Sequence, residues 1–269
     1  MPITATSGIN IYWTRRGSGS PVLLIMGLSF THEMWFRLTP ALLGAGYETL
    51  LFDNRGMGRS ETPRGPYRIR DMAKDAVAVL DAAGIQSAHI IGASMGGMIA
   101  QELALFYPER VKTLMLGCTS CRGLGTWPKW SYAPSVRSSW ASRMERERAF
   151  RRILYADTTP DERIEEDLLV RSKCSWTYNG FWNQLAGILM WSSFRRLPRI
   201  DVPTLIIHGD QDRLIPSRHG RVLASRIPRA HFELIKDAGH ILSTDQPEVC
   251  CRLMLDFLLY CGDGANRHG

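Results

Sequence analysis

The 269-residue sequence has no run of ~18 or more apolar residues, so no transmembrane helix is expected. Its first residues, Met1-Pro2-Ile3-Thr4, lack the basic segment and following apolar stretch of a secretory signal. Cysteine is sparse: Cys118, Cys121, Cys174, Cys250, Cys251 and Cys261 are scattered through the chain. Without an export signal, these six are expected as reduced thiols of a cytoplasmic protein. Cys118-x-x-Cys121 has no second Cys or His pair at ligand spacing, and adjacent Cys250-Cys251 does not easily supply one, so no metal centre is expected. Repeats and low-complexity segments are missing. The formal charge is +7, but the basic residues form no long tract and no recognition motif accompanies them. Nucleic acid is therefore not an expected partner.

What is present suffices for one large α/β domain, or a domain with an insertion. A hydrophobic content of 45% and a charged content of 22% are ordinary for a globular protein. The positive charge is concentrated. From Arg122 to Arg199 there are 14 Lys or Arg against 8 Asp or Glu. A solvated basic face explains this first; an acidic substrate, a carrier protein or another acidic partner comes second.

The stretch from Ile90 to Ile99 organises the rest. Ala88 to Ile91 has the apolar run of a short buried strand, and Met95 to Tyr107 has helical character. Between them stands Gly92-Ala93-Ser94-Met95-Gly96. A strand that reverses into a helix within about four residues crowds its backbone, and glycine two positions to either side of the serine relieves it. The turn lifts the Ser94 hydroxyl out of the sheet and aims the helix N-terminus at it. Taken alone, the stretch is either a nucleophile turn or a glycine-rich, phosphate-binding one.

The surrounding rhythm bears on that choice. Residues 3–7 and 9–15 alternate around Ser7-Gly8 as a hairpin. Buried strands are expected at Val22–Met26, Thr49–Phe52, Val111–Leu116, Val202–Ile207 and His231–Ile235. Helical spacing is expected at Trp35–Leu43, Ile69–Ala83, Ser217–Arg226 and Gln246–Tyr260. Strands alternating with helices in this way predict a doubly wound, mostly parallel α/β sheet, whose chemistry collects outside the carboxyl ends of the strands. Gly27, Asp53, Ser94 and Gly117 all lie at such ends.

From Cys118 to Pro198 the alternation stops. The region has helical stretches (Ser138–Tyr155, Thr159–Cys174, Gly180–Trp191) and holds six of the chain's eight tryptophans. The expected organisation is an α/β core of residues 1–117 and 199–269, with residues 118–198 as an inserted helical cap. Most of the six tryptophans are expected to pack within the cap. Trp127, Trp182 and Trp191 are candidates to face an apolar or aromatic ligand.

A serine hydroxyl needs a base, and the base needs a group to orient it. His240 lies in the loop after the last strand, on the same edge as Ser94. His208 reads as packed, His89 as lying on the wrong edge, and His32 as a possible substrate contact. Asp212, in the turn closed by Pro216, is the better acid; Asp210 suits a turn-forming hydrogen bond. The order Ser94, Asp212, His240 is that of α/β hydrolases.

Gly92-x-Ser94-x-Gly96-Gly97, Gly209-x-x-Asp212-x-x-x-Pro216, Ala238-Gly239-His240 and the loop Asp53-Asn-Arg-Gly-Met-Gly-Arg-Ser60 together resemble the α/β-hydrolase superfamily over nearly all of the chain outside the cap. Ile25-Met26-Gly27-Leu28 and the Asp53 loop are similar in style to small bacterial esterases, including aclacinomycin-type methylesterases and 3-oxoadipate enol-lactonases. One departure is Met26-Gly27 in place of the usual His-Gly. The resemblance implies a cofactor-free serine esterase or lactonase acting on an apolar or aromatic small-molecule ester. The oxyanion donors it implies are the backbone N–H groups of Leu28 and Met95. Serine at the elbow argues against dehalogenases and epoxide hydrolases, which use aspartate there. Thioesterases, carbon–carbon bond hydrolases and perhydrolases share the constellation, and a non-catalytic ligand-binding protein on the same fold is the rival of another class. The sequence carries no signal for a membrane partner or a particular oligomeric state.

Overall fold

The structure, a computed structural model, describes residues 3–6, 8–123 and 143–263. Eight strands form one sheet: β1 (Ile3–Thr6), β2 (Ile9–Arg16), β3 (Ser20–Ile25), β4 (Tyr47–Phe52), β5 (Ala88–Ala93), β6 (Val111–Gly117), β7 (Thr204–Gly209) and β8 (Ala230–Ile235). Their order is β1-β2-β4-β3-β5-β6-β7-β8. The first two pairings, β1 with β2 and β2 with β4, are antiparallel, and all others are parallel. This is the doubly wound sheet that the alternation predicts, with its carboxyl ends on one edge.

Both faces of the sheet are covered, which explains the unbroken apolar runs of the central strands. On one face, Leu23, Ile25, Leu50, Ile90, Leu114 and Ile206 pack against helices α2 (Ile69–Ala82) and α3 (Met95–Phe106). On the other, Val22, Leu24, Ile91, Met115, Leu205 and Ile207 pack against α1 (Thr39–Gly44) and, late in the chain, Pro247–Leu258. Each such side chain, fully buried, contributes roughly 1.5–3 kcal/mol.

The helix expected at Trp35–Leu43 is instead a short 3-10 turn, His32–Trp35, followed by α1. Pro40 has no N–H to bond back to the preceding turn, so the helix restarts there. Between β6 and β7, the described residues hold α4 (Arg143–Leu154), α5 (Asp161–Ser172) and α6 (Tyr178–Leu189). Helix α7 (Arg218–Ala224) lies between β7 and β8. A one-turn helix, α8 (Leu242–Asp245), precedes α9 (Pro247–Leu258). The two are separated at Gln246, whose backbone leaves the helical region (φ −135°, ψ 65°) before the proline that follows it. Among the described residues, no helix is long and apolar enough to cross a membrane.

Candidate active site

The β5–α3 turn is fixed by steric exclusion. A Cβ on Gly92 would collide with the backbone of Gly96 and Gly97, and one on Gly96 with the Ile25 carbonyl. Ser94 sits between them at φ 55° and ψ −119°, outside the helical and extended regions. A non-glycine residue held there costs about 1–3 kcal/mol, which persists only when the surroundings impose it. Those surroundings include Thr119, whose hydroxyl donates to the Ser94 carbonyl at 2.6 Å, and the Ser94 N–H, which donates to the Gly117 carbonyl at 2.9 Å.

The loop after β3 runs against this turn. Gly27 is so close that a Cβ there would lie 3.0 Å from the Ser94 Cβ and 3.5 Å from its Oγ. Leu28, the next residue, is thereby carried beside the serine. Met95 opens α3, where an N–H has no acceptor within its own helix. Asn54 donates from Nδ2 to the Met26 carbonyl at 2.8 Å and orients the Met26-Gly27 segment.

His240 and Asp212 arrive from two further strand ends and meet. The Nδ1 of His240 lies 2.9 Å from Asp212 Oδ2, and both side chains are buried. The other Asp212 oxygen accepts the N–H groups of Leu214 and Ile215 at 2.9 and 2.8 Å. The carboxylate is therefore locked by its own turn while it holds the imidazole. Asp210 accepts from the Ala238 N–H, the turn-forming task its position suggests.

Two backbone donors of the His240 loop reach into the insert: the N–H groups of His240 and Ile241 both donate to the Leu154 carbonyl, at 2.7 and 3.0 Å. Asp245 works beside them. Its Oδ2 accepts the Gly239 N–H at 2.6 Å, and its Oδ1 accepts from Thr159 Oγ1 and the Ala156 N–H. Burial pushes the Asp245 carboxyl up to about 6, against the pull of those three bonds. Asp167 of α5 is raised by burial as well; it accepts from Thr244 Oγ1 and Tyr155 Oη and bonds Arg37. Neither carboxylate stands out in the sequence as part of the site. A possible signal is the short spacing of Asp245 from His240.

The remaining candidates fall elsewhere. His32 is buried, and both its backbone N–H and its Nδ1 meet Asp53 Oδ1, at 2.9 and 2.7 Å. Those bonds make it a brace for the loops after β3 and β4. Trp191 donates Nε1 to Glu102 of α3 at 2.7 Å, and Arg196 pairs with the same carboxylate, so Trp191 ties its segment to α3. Trp182 is half exposed and stacks edge-on with Tyr178 and Phe181. Trp127 lies outside the described residues. His208 is buried, and its pKa falls to about 4 from desolvation; His89 spends its ring on Ser20 and Thr113 at the other edge. Cys118 and Cys121 belong to cores on opposite faces of the sheet. The Cys118 Sγ joins Asp212 and His240 in a cluster whose ligating atoms lie within 4.8 Å of one another. Burial, then the charge of Asp212, push the Cys118 thiol well above its ordinary value. Part of the basic surplus is neutralised by acids outside the region, since Arg163 and Arg196 pair with Glu248 and Glu102.

A hydroxyl on a forced turn and a buried imidazole with its orienting carboxylate, all carried by strand ends on one edge of the sheet, are the groups that acyl transfer uses. Comparison with known proteins agrees with the fold. The chain matches the alpha/beta hydrolase fold family over residues 20–151 and 166–247. It is 32% identical over 268 residues, 98% of this chain and 99% of the other, to a protein of Azorhizobium caulinodans named a carbamate hydrolase, RutD. It is 34% identical over 249 residues to a poly(3-hydroxyalkanoate) depolymerase of Ectopseudomonas oleovorans, covering 89% of this chain and 84% of that one. Among solved structures, Est816, described as an N-acyl homoserine lactone degrading enzyme, superposes with a TM-score of 0.83 at 27% identity, over 95% of this chain and all of that one (100%).

Proposed function

This chain belongs to the alpha/beta hydrolase family, and from that premise we propose that it is a serine hydrolase of carboxylic esters or lactones of apolar small molecules. The observation that carries the reading is the Asp212–His240 hydrogen bond on the sheet edge that also bears a serine forced into a φ of 55° at the elbow. The names of the depolymerase and of the lactone-degrading enzyme support an ester or lactone as the substrate class.

In the proposed cycle, His240 takes the proton as Ser94 Oγ attacks the ester carbonyl, and Asp212 holds the imidazole's other nitrogen and stabilises the imidazolium. The N–H groups of Leu28 and Met95 bind the developing oxyanion; losing one such donor costs on the order of 3 kcal/mol of barrier. His240 then returns the proton to the leaving alkoxide, which departs as the alcohol and leaves the acyl group on Ser94. Water attacks that ester with His240 again as base, and releases the acid and the free serine. No redox or metal cofactor enters these steps. The residues 118–198, and Trp182 among them, are proposed to cover the strand ends as a cap and to shape the apolar side of the site.

Ser94→Ala is expected to abolish hydrolysis of a short p-nitrophenyl ester while circular dichroism and melting temperature hold. Turnover equal to wild type would sink the reading. Stoichiometric labelling of the wild-type serine by a fluorophosphonate separates an enzyme from a ligand-binding protein on the same fold.

A further inference from the structure

A cavity of about 70 Å³ enters the core beside the Asp212–His240 pair. His240 and Ile241 stand at one side of it, together with Ala93, the residue before Ser94. Its floor is the sheet. Ile91 and Ala93 of β5, Met115 and Gly117 of β6, and Ile207 of β7 lie on one face, because residues two apart on a strand point the same way. The far wall is built by Met34, Trp35 and Leu38. His240 and Ser243 are the polar exceptions in an otherwise apolar or thiol lining. With a water-sized group taking up about 30 Å³, the space holds roughly two or three groups of methylene size.

Gly117 stands apart from the other glycines of the site. At Gly92 and Gly96 the backbone forbids a side chain. At Gly117 a Cβ would meet nothing nearer than Ile207 Cγ1 at 3.8 Å and the Gly92 carbonyl oxygen at 3.9 Å, which is ordinary contact, and its φ lies outside the left-handed region. Backbone geometry therefore does not require glycine here. The missing side chain has one structural effect: it leaves the cavity open between Gly92 and Ile207.

We propose that this cavity receives a short, unbranched aliphatic arm of the substrate, and that Gly117 sets how long that arm can be. The proposal rests on the serine-hydrolase reading for its identification of the arm as part of an ester. The arm belongs either to the acyl group or to the alcohol, and matched isomers distinguish them: methyl butanoate presents a three-carbon arm on the acyl side, propyl acetate on the alcohol side. At about fourfold per buried methylene, one of the two is expected to exceed methyl acetate in kcat/KM by tenfold or more. Gly117→Val fills the cavity and is expected to cut that propyl-to-methyl ratio at least tenfold. Gly117→Ala, which adds one methyl at van der Waals distance, cuts it severalfold and serves if the valine variant does not fold.

A ratio that is the same in wild type and both variants, in both ester series, overturns the proposal, and fluorophosphonate labelling of the same protein shows that the hydrolase reading survives it. If the wild-type protein takes no label and cleaves no ester, 1-propanol binding to the Ser94→Ala protein decides. Saturable binding that Gly117→Val removes upholds the cavity while the hydrolase reading falls; no saturable binding overturns the cavity as well.

Discussion

The elbow and the seat of the helical insert lie within a few residues of each other, yet they are held by opposite means. At the elbow, backbone meets backbone: Gly92 against Gly96, Gly96 against Ile25, Gly27 against Ser94. The turn has no alternative packing because no atom in it can be moved aside. The insert is held by polar contacts spread over several loops. Gln184 of α6 donates to the Arg55 carbonyl at 2.9 Å and accepts the Ser29 N–H at 3.4 Å; Ser175 bonds Gly58 in both directions; Asp245 and Asp167 bind α4, α5 and the His240 loop together. Close backbone approaches add to these at Gly180 against Gly56 and at Gly187 against Tyr67. Steric exclusion gives an all-or-none structure; distributed hydrogen bonds of about 0.5–1.5 kcal/mol each give a graded one.

That contrast can be broken by experiment. The largest stability loss is expected for Gly96→Ala, whose Cβ would overlap the Ile25 carbonyl: about 3 kcal/mol or more, read from denaturant unfolding, with hydrolysis and fluorophosphonate labelling lost together. A Gly96→Ala protein as stable and active as wild type would show that the elbow is not sterically determined.

A pH-dependent effect comes next, at Asp245. Burial raises its carboxyl to about 6 in the fold, so between the ordinary carboxylate value and 6 the folded protein keeps a proton that the unfolded chain has released. Its contribution to stability is complete below pH 4 and is lost as the pH rises through 6, up to about 3 kcal/mol over that window. Urea midpoints at pH 4, 5, 6 and 7 should fall more steeply for wild type than for Asp245→Asn. Parallel curves would remove Asp245 from the electrostatics of the insert's seat.

The smallest expected effect is Gln184→Ala, which gives up one well-formed bond and one long one: about 1 kcal/mol of stability, with kcat/KM falling by less than tenfold. A loss of activity as complete as that of Ser94→Ala would erase the distinction between the two regions.

The same contrast sets what could be read without coordinates. The turn around Ser94 is legible because its constraint is local: five residues and their glycine spacing contain it. Asp212 and His240 are legible as positions, since both follow a strand on one edge, and the structure brings these two within hydrogen-bonding distance. The direction of a side chain is another matter. His32 sits at the right edge but turns to Asp53, 21 residues on, and Trp191 turns to Glu102, 89 residues back. Glu102 is marked by no local pattern, and the loop that marks Asp53 does not point to His32. Gly180 and Gly187 fall seven residues apart on one face of α6, and both touch core backbone, Gly56 and Tyr67. That spacing is visible in the sequence, but the surface it meets is not.

The Leu154 carbonyl takes two hydrogen bonds at once, from His240 and from Ile241. This makes the end of α4 an axle. A displacement of the insert that carried Leu154 away would pull on the backbone of the proposed general base before it uncovered anything else. Any traffic of substrate and product that leaves His240 aligned must turn about this point, with the travel taken up at the opposite end of the insert. The fixed end and the chemistry thus share a fulcrum, and aperture and alignment are mechanically coupled at one carbonyl oxygen.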